Sequence, residues 1–174
     1  MTSTTVRPDW TRLGHQSFEG EAYLLPNGNV YKTYYRSSGQ QEADALKALA
    51  SYDIAPQHLA SLPSVVIMSY IKGVTLAELW FHLQDQRSRL HHVLDELART
   101  VATLHKAGWV HQDLHTANIM VLANGTVKLI DFNKAFASSS EEKRYADLEL
   151  FDACTGMEDE DFQYFINQYS SYLK

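Results

Sequence analysis

Cysteine is almost absent from this chain. Cys154 stands alone among 174 residues, so no intrachain disulfide can form and a reducing compartment is the simplest home. Runs of positive charge are missing as well. Lysine and arginine total 15 against 21 acidic residues, a net charge of −6 without any basic stretch, which argues against non-specific nucleic-acid binding. No apolar run approaches the roughly 20 residues that cross a bilayer. Met1 to Pro8 is polar and lacks the apolar core of a signal peptide. Internal repeats and low-complexity segments are absent too. The expectation is a cytoplasmic protein that engages neither membrane nor nucleic acid. With 45% hydrophobic and 21% charged residues, the composition is that of a globular domain, here a single one over residues 1–174.

What the chain does have is concentrated in two short strings. His-Gln-Asp-Leu-His-Thr-Ala-Asn occupies 111–118 and Leu-Ile-Asp-Phe-Asn occupies 129–133. Phosphoryl transfer from ATP requires one carboxylate to receive the acceptor's hydroxyl proton. It also requires oxygen ligands from separate segments to hold the magnesium that neutralises the phosphates. Asp113 fits the first role, and Asn118 and Asp131 fit the second. Between them, Ile119 to Leu122 reads as a strand, Asn124-Gly125 as a tight turn and Val127 to Ile130 as the returning strand. Such a hairpin brings Asn118 at its entry and Asp131 at its exit to the same end.

These strings resemble the protein-kinase-like superfamily, whose catalytic loop reads H-x-D-x-x-x-x-N and whose metal loop reads D-F-G. The resemblance implies a two-lobed α+β fold, with a small antiparallel-sheet N-lobe over about 10–70 and a reduced, mainly helical C-lobe over about 74–174. It also implies ATP as co-substrate and Mg2+ as cofactor, with Mn2+ able to substitute. In the alternating strand Asn29 to Tyr35, Lys32 stands where the family places the lysine that contacts the ATP phosphates. A helix is expected over about 40–50, with Ala43, Leu46 and Leu49 or Ala50 on its apolar face. Glu42 is the natural partner for Lys32, with Asp44 as the competing candidate. The phosphate-covering loop corresponds to Leu13 through Tyr23. Gly14 and Gly20 match, the middle glycine is missing, and the spacing is one residue longer. Ser17 or Gln16 are candidates to hydrogen-bond the phosphates, and Ala22 lies on the strand leaving the loop. Val65 to Leu76 resembles the edge strand, hinge and following turn, with Met68 at the back of an adenine pocket and Ser69, Tyr70 and Ile71 as hinge.

Leu90, Val93, Leu94, Leu97, Val101 and Leu104 recur at helical spacing within a largely helical stretch from 74 to 111, and Gly108 is a stop signal. Two further helices are expected at about 141–153 and 159–173. Phe162, Phe165, Ile166, Tyr169 and Leu173 form the buried stripe of the second. The acidic cluster 158–161 is expected to be a helix first turn rather than a metal site.

About forty residues follow Asn133, and no A-P-E string is among them. Gln112 replaces the arginine that senses activation-segment phosphorylation in conventional protein kinases, and Asp147 resembles the aspartate that pins the catalytic loop from below. The chain therefore resembles the reduced kinases, the RIO-like group and the lipopolysaccharide Kdo kinases, over roughly residues 12–152. Two residues depart from the protein-kinase pattern. Asn133 replaces the glycine of the metal loop and tolerates left-handed backbone nearly as well. His115 replaces the lysine that steadies the transferred phosphoryl group, as aminoglycoside and choline kinases often do, and is a candidate catalytic residue. His111 is expected to orient the loop. The expected activity is γ-phosphoryl transfer to a hydroxyl, with protein serine or threonine, including the chain's own, ahead of a sugar or other small alcohol. A pseudokinase acting as a binding module is the alternative of another class.

Overall fold

The computed structural model describes residues 7–14 and 19–174. The first half builds a five-stranded antiparallel sheet from β1 (Thr11–Leu13), β2 (Gly20–Leu24), β3 (Asn29–Tyr34), β4 (His58–Leu62) and β5 (Val65–Ser69), in the order β1-β2-β3-β5-β4. Helix α1 (Gln40–Ala48) lies between β3 and β4 in the chain and buries Ala43, Leu46 and the following Leu49. Register decides which side chains share a face. Ala22 is opposite Lys32 and Lys32 is opposite Val66, while Val30 is opposite Met68. Because side chains alternate along a strand, Ala22, Val30, Lys32, Val66 and Met68 all project from one face of the sheet.

The second half begins with β6 (Gly73–Thr75), followed by helices α2 (Leu76–Gln84) and α3 (Arg87–Lys106). The expected largely helical stretch from 74 to 111 is present as these two helices, α2 and α3. Gly73 to Thr75 pair with β8 (Ile119–Leu122), and the helical part breaks at Asp85 and Gln86. A Cβ at Gly73 would come 2.6 Å from the Val121 carbonyl oxygen, so this pairing demands glycine. Thr75 and Glu78 form a reciprocal capping box that starts α2. The stripe from Leu90 to Leu104 on α3 is buried along its length, and Gly108 follows the helix at φ 78°.

The hairpin of β8 and β9 (Val127–Leu129) forms as expected, and the N–H of Ile130 donates to the Asn118 carbonyl at its open end. Beyond it, the two-residue β10 (Phe136–Ala137) pairs with β7 (Trp109–Val110). Helices α4 (Glu141–Thr155) and α5 (Asp159–Leu173) complete the fold, α5 packing along α3. On α5, Phe165 and Tyr169 are buried, and Phe162, Ile166 and Leu173 are partly so. Asp161 departs from a solvated first turn. It is buried and sits 3.0 Å from His91 Nε2 and 3.2 Å from the Arg87 guanidinium. No helix among the described residues is long and apolar enough to cross a membrane. The molecule is thus α+β, an antiparallel-sheet part followed by a mainly helical part.

Candidate active site

Three segments far apart in the chain meet at Lys32. Its ammonium lies 2.8 Å from Glu42 Oε2 and 2.7 Å from Asp131 Oδ1. Glu42 is 1% exposed, and its other oxygen accepts the Phe132 N–H at 3.0 Å, so one carboxylate ties the lysine strand, α1 and the metal loop together. The competing candidate, Asp44, is exposed and accepts from Gln40 instead. Two acids share one cation in a buried place. Burial works against the Lys32 charge, but Glu42 and then Asp131 outweigh it and hold the ammonium above the ordinary lysine value. Burial likewise opposes the Asp131 charge, and Lys32 overcomes it, keeping that carboxyl below its usual range. Glu42 goes the other way, because burial raises it by more than Lys32 lowers it.

The catalytic loop is held from beneath by Asp147 on α4. This fully buried carboxylate accepts the N–H of His111 at 2.7 Å and of Gln112 at 2.6 Å. Gln112 sits at φ 59°, a conformation a side chain resists, and the carboxylate compensates by engaging its amide. Asp147 also lies 3.1 Å from Nε2 of His105, whose Nδ1 meets the Tyr169 hydroxyl at 2.8 Å. With Nε2–H facing the carboxylate, Nδ1 is the acceptor of the tyrosine O–H. Burial pushes Tyr169 up to about 12, so it keeps the proton it donates. His105 was not singled out from sequence, and its only signal there was a histidine on an otherwise apolar helix stripe.

On that platform, the Asn118 amide nitrogen donates to the Asp113 carbonyl at 2.9 Å and meets His115 Nε2 at 3.1 Å. The same ring nitrogen lies 3.9 Å from Asp113 Oδ2. That amide nitrogen is thereby engaged within the loop, and Asn118 is buried. Lys134 Nζ, also missed from sequence, donates to Asp113 Oδ1 at 2.9 Å. Its position three residues after Asp131 was the available signal. His111 is buried with its ring tilted 53° to that of Phe132 at 4.7 Å, and its Nε2 lies 3.1 Å from the Ile130 carbonyl, an orienting rather than a reacting position.

In the metal loop, the left-handed residue is Asp131 itself, at φ 64°, and not Asn133. Asn133 lies in a short 3-10 turn, Phe132–Lys134, and donates to Glu19 Oε2 at 3.0 Å, linking this loop to the end of the phosphate-covering segment. Within that segment, Gly20 is required by close approach, since a Cβ would stand 1.9 Å from the Thr33 carbonyl oxygen. Gly14, at φ 67°, turns the chain in open space. Ser17 and Gln16 lie outside the described residues.

At the hinge, Met68 is buried on the same sheet face as Lys32 and Ala22. The Ser69 N–H donates to the Gln57 carbonyl and its hydroxyl accepts the Gln57 N–H, both at 2.9 Å, so its side chain faces β4. Among the described residues, the backbone of Tyr70 and Ile71 makes no hydrogen bond, leaving donors and acceptors for a planar partner. The donor set also suits a hard cation. One carboxylate and one amide oxygen are what Mg2+ takes from protein when phosphates supply further ligands. No group of three His, Cys, Asp or Glu poised for a metal occurs among the described residues. Two cavities of about 290 and 280 Å3 lie elsewhere, one beside Asp53 and Arg99 and one beside Trp80 and Met157.

Sequence comparison agrees with this architecture. The chain is similar to the KEOPS complex subunit Bud32 of Pyrococcus abyssi, at 36% identity over 63% of this chain and 48% of that protein. It is similar to a probable serine/threonine-protein kinase of Streptomyces coelicolor, at 36% identity over 73% of this chain and 20% of the relative. A third, serine/threonine-protein kinase PknA of Corynebacterium glutamicum, is 26% identical over 61% of this chain and 24% of its own length. The chain thus spans about half of the Bud32 relative and a quarter or less of the other two. Residues 25–147, well over half of the chain, match the RIO domain. They run from the strand of Lys32 to the aspartate beneath the catalytic loop, and the chain belongs to the RIO-domain family of the atypical protein-kinase-like superfamily.

Proposed function

We propose that this protein binds Mg-ATP between its sheet and its helical half and transfers the γ-phosphoryl group to a hydroxyl. The observation that carries the reading is the convergence of Lys32, Glu42 and Asp131 beside a catalytic loop that Asp147 holds by two backbone amides. Lys32 would hold the phosphates as a point charge fixed on a strand. Asn118 and Asp131 would hold Mg2+, which neutralises phosphate charge when bound. Tyr70 and Ile71 would present backbone to the adenine edge, with Met68 closing the pocket behind. Asp113 would take the acceptor's proton and orient its oxygen for in-line attack.

Protein serine or threonine is the acceptor we favour, the kinase relatives supporting it. A small alcohol is the second reading, favoured by His115 in the place of a phosphoryl-steadying lysine. The name of the Pyrococcus relative, a subunit of a complex, supports a protein partner for this chain as well. The test is incubation with γ-labelled ATP, first alone and then with extract separated into proteins and metabolites. Label on protein supports the first reading, and label confined to metabolites supports the second. No transfer in any fraction would leave a binding module.

A further inference from the structure

Lys134 has no part in the roles assigned above, yet its ammonium bonds directly to the side chain of the proposed base. We infer that Lys134, supplied by the metal loop, is the cation that meets the transferred phosphoryl group on the acceptor side of the site. The inference rests on the Mg-ATP reading just given and extends it.

One hydrogen bond locates the ammonium, and two further acidic groups act on it. It donates to Asp113 Oδ1 at 2.9 Å, and the charges of Asp113, Glu19 and Asp131 all act to hold it protonated, above the ordinary lysine value. Asp113 marks where the acceptor hydroxyl sits. Asp131 marks the metal, and Glu19 stands beside Gly20 at the end of the phosphate-covering segment. A phosphoryl group passing from nucleotide to acceptor has to travel among these three.

The backbone that carries Lys134 is tethered on both sides. The Phe132 N–H is held by Glu42, Asn133 by Glu19, and the Ala135 carbonyl by the Gln41 side-chain amide at 2.8 Å. Its side chain is 48% exposed, so the anchor is rigid and the reach is free. An ammonium has three donors, and one suffices for Asp113. The remaining donors can engage phosphoryl oxygens while the first still positions the carboxylate.

The other candidates for this work are committed. Lys32 is gripped by Glu42 and Asp131. His115 Nε2 is engaged by the Asn118 amide nitrogen at 3.1 Å, with Asp113 Oδ2 3.9 Å away. An ordinary exposed ion pair would have no reason to sit on the one carboxylate that faces the acceptor, and would contribute little to stability.

Competition binding with a fluorescent ADP analogue on the intact protein separates the possibilities. The competitors are Mg-ADP and the non-hydrolysable Mg-AMP-PNP, with wild type, Lys134→Met and Lys134→Arg compared. The expected result is a roughly five- to thirtyfold loss of AMP-PNP affinity in Lys134→Met, from a charge-assisted bond partly discounted for exposure. ADP affinity should be nearly unchanged, which also reports that the variant is folded, and Lys134→Arg should restore most of the loss. If Lys134→Met binds both nucleotides as wild type does, or loses both equally, Lys134 does not meet the terminal phosphoryl and the inference fails alone. If wild type binds neither nucleotide, the Mg-ATP reading fails and takes this inference with it.

Discussion

A single ammonium between one buried and one half-buried carboxylate sets the character of the site at the scale of residues. Asp131 keeps its charge because Lys32 outweighs the cost of burial, whereas for Glu42 burial prevails. Asp131 is the proposed carboxylate ligand of the metal, and Asp131→Ala is expected to abolish the magnesium dependence of ATP binding. Equal affinity in that variant with and without magnesium is the expected titration result, and retained magnesium dependence would count against the metal assignment. His111 gives a second test, on pH. Burial holds its imidazole below the ordinary value of 6.5, so the unfolded chain takes up a proton that the folded chain resists. The stability contributed is full above about pH 6.5 and is lost as pH falls from there through the lower folded value. Thermal unfolding of His111→Gln should accordingly depend less on pH between about 7 and 5 than that of wild type.

Among the elements, α4 holds the proposed catalytic loop without carrying a proposed reacting group. Its Asp147 holds two consecutive loop amides and a buried histidine, three donors that no water can easily satisfy. Asp147→Ala should cost on the order of 3 kcal/mol in urea unfolding, since it strands buried donors. Protease cleavage near 111–113 should rise with it. What sequence could and could not reveal divides along the same lines. The β8–β9 hairpin, α1, the α3 stripe and both final helices were legible because turn chemistry and periodicity are strong there. β4 was not, since Leu59 and Leu62 face solvent and the strand lacks a clean alternation. β6, β7 and β10 run only two or three residues and exist through pairing across the fold. Lys32, Glu42 and Asp131 were recoverable from motif order, with Asp44 excluded only by the packing of α1. Lys134 and His105 act through partners 21 and 42 positions away, which no local pattern announces.

Over the whole molecule, the elements converge on one seam. The sheet contributes Lys32, α1 contributes Glu42, and the helical half contributes Asp113, Asn118 and Asp131, the last two from opposite ends of one hairpin. Glu42 reaching Phe132, Gln41 reaching Ala135 and Asn133 reaching Glu19 stitch the halves together beside the site. The metal loop and α1 are thereby held in place by contacts within the chain. The central proposal is phosphoryl transfer with Asp113 as the group that receives the proton. Asp113→Asn preserves the shape of that side chain and removes its basicity, and on this proposal the carboxylate contacts the acceptor rather than the nucleotide. The decisive measurement is single-turnover transfer from γ-labelled ATP by wild type and Asp113→Asn, with Mg-ATP affinity determined for both. The expected result is transfer by wild type and none by the variant, at nearly equal affinity. Transfer by Asp113→Asn at the wild-type rate would contradict it, and absence of transfer by wild type to itself, to proteins or to metabolites would make the protein a binding module instead.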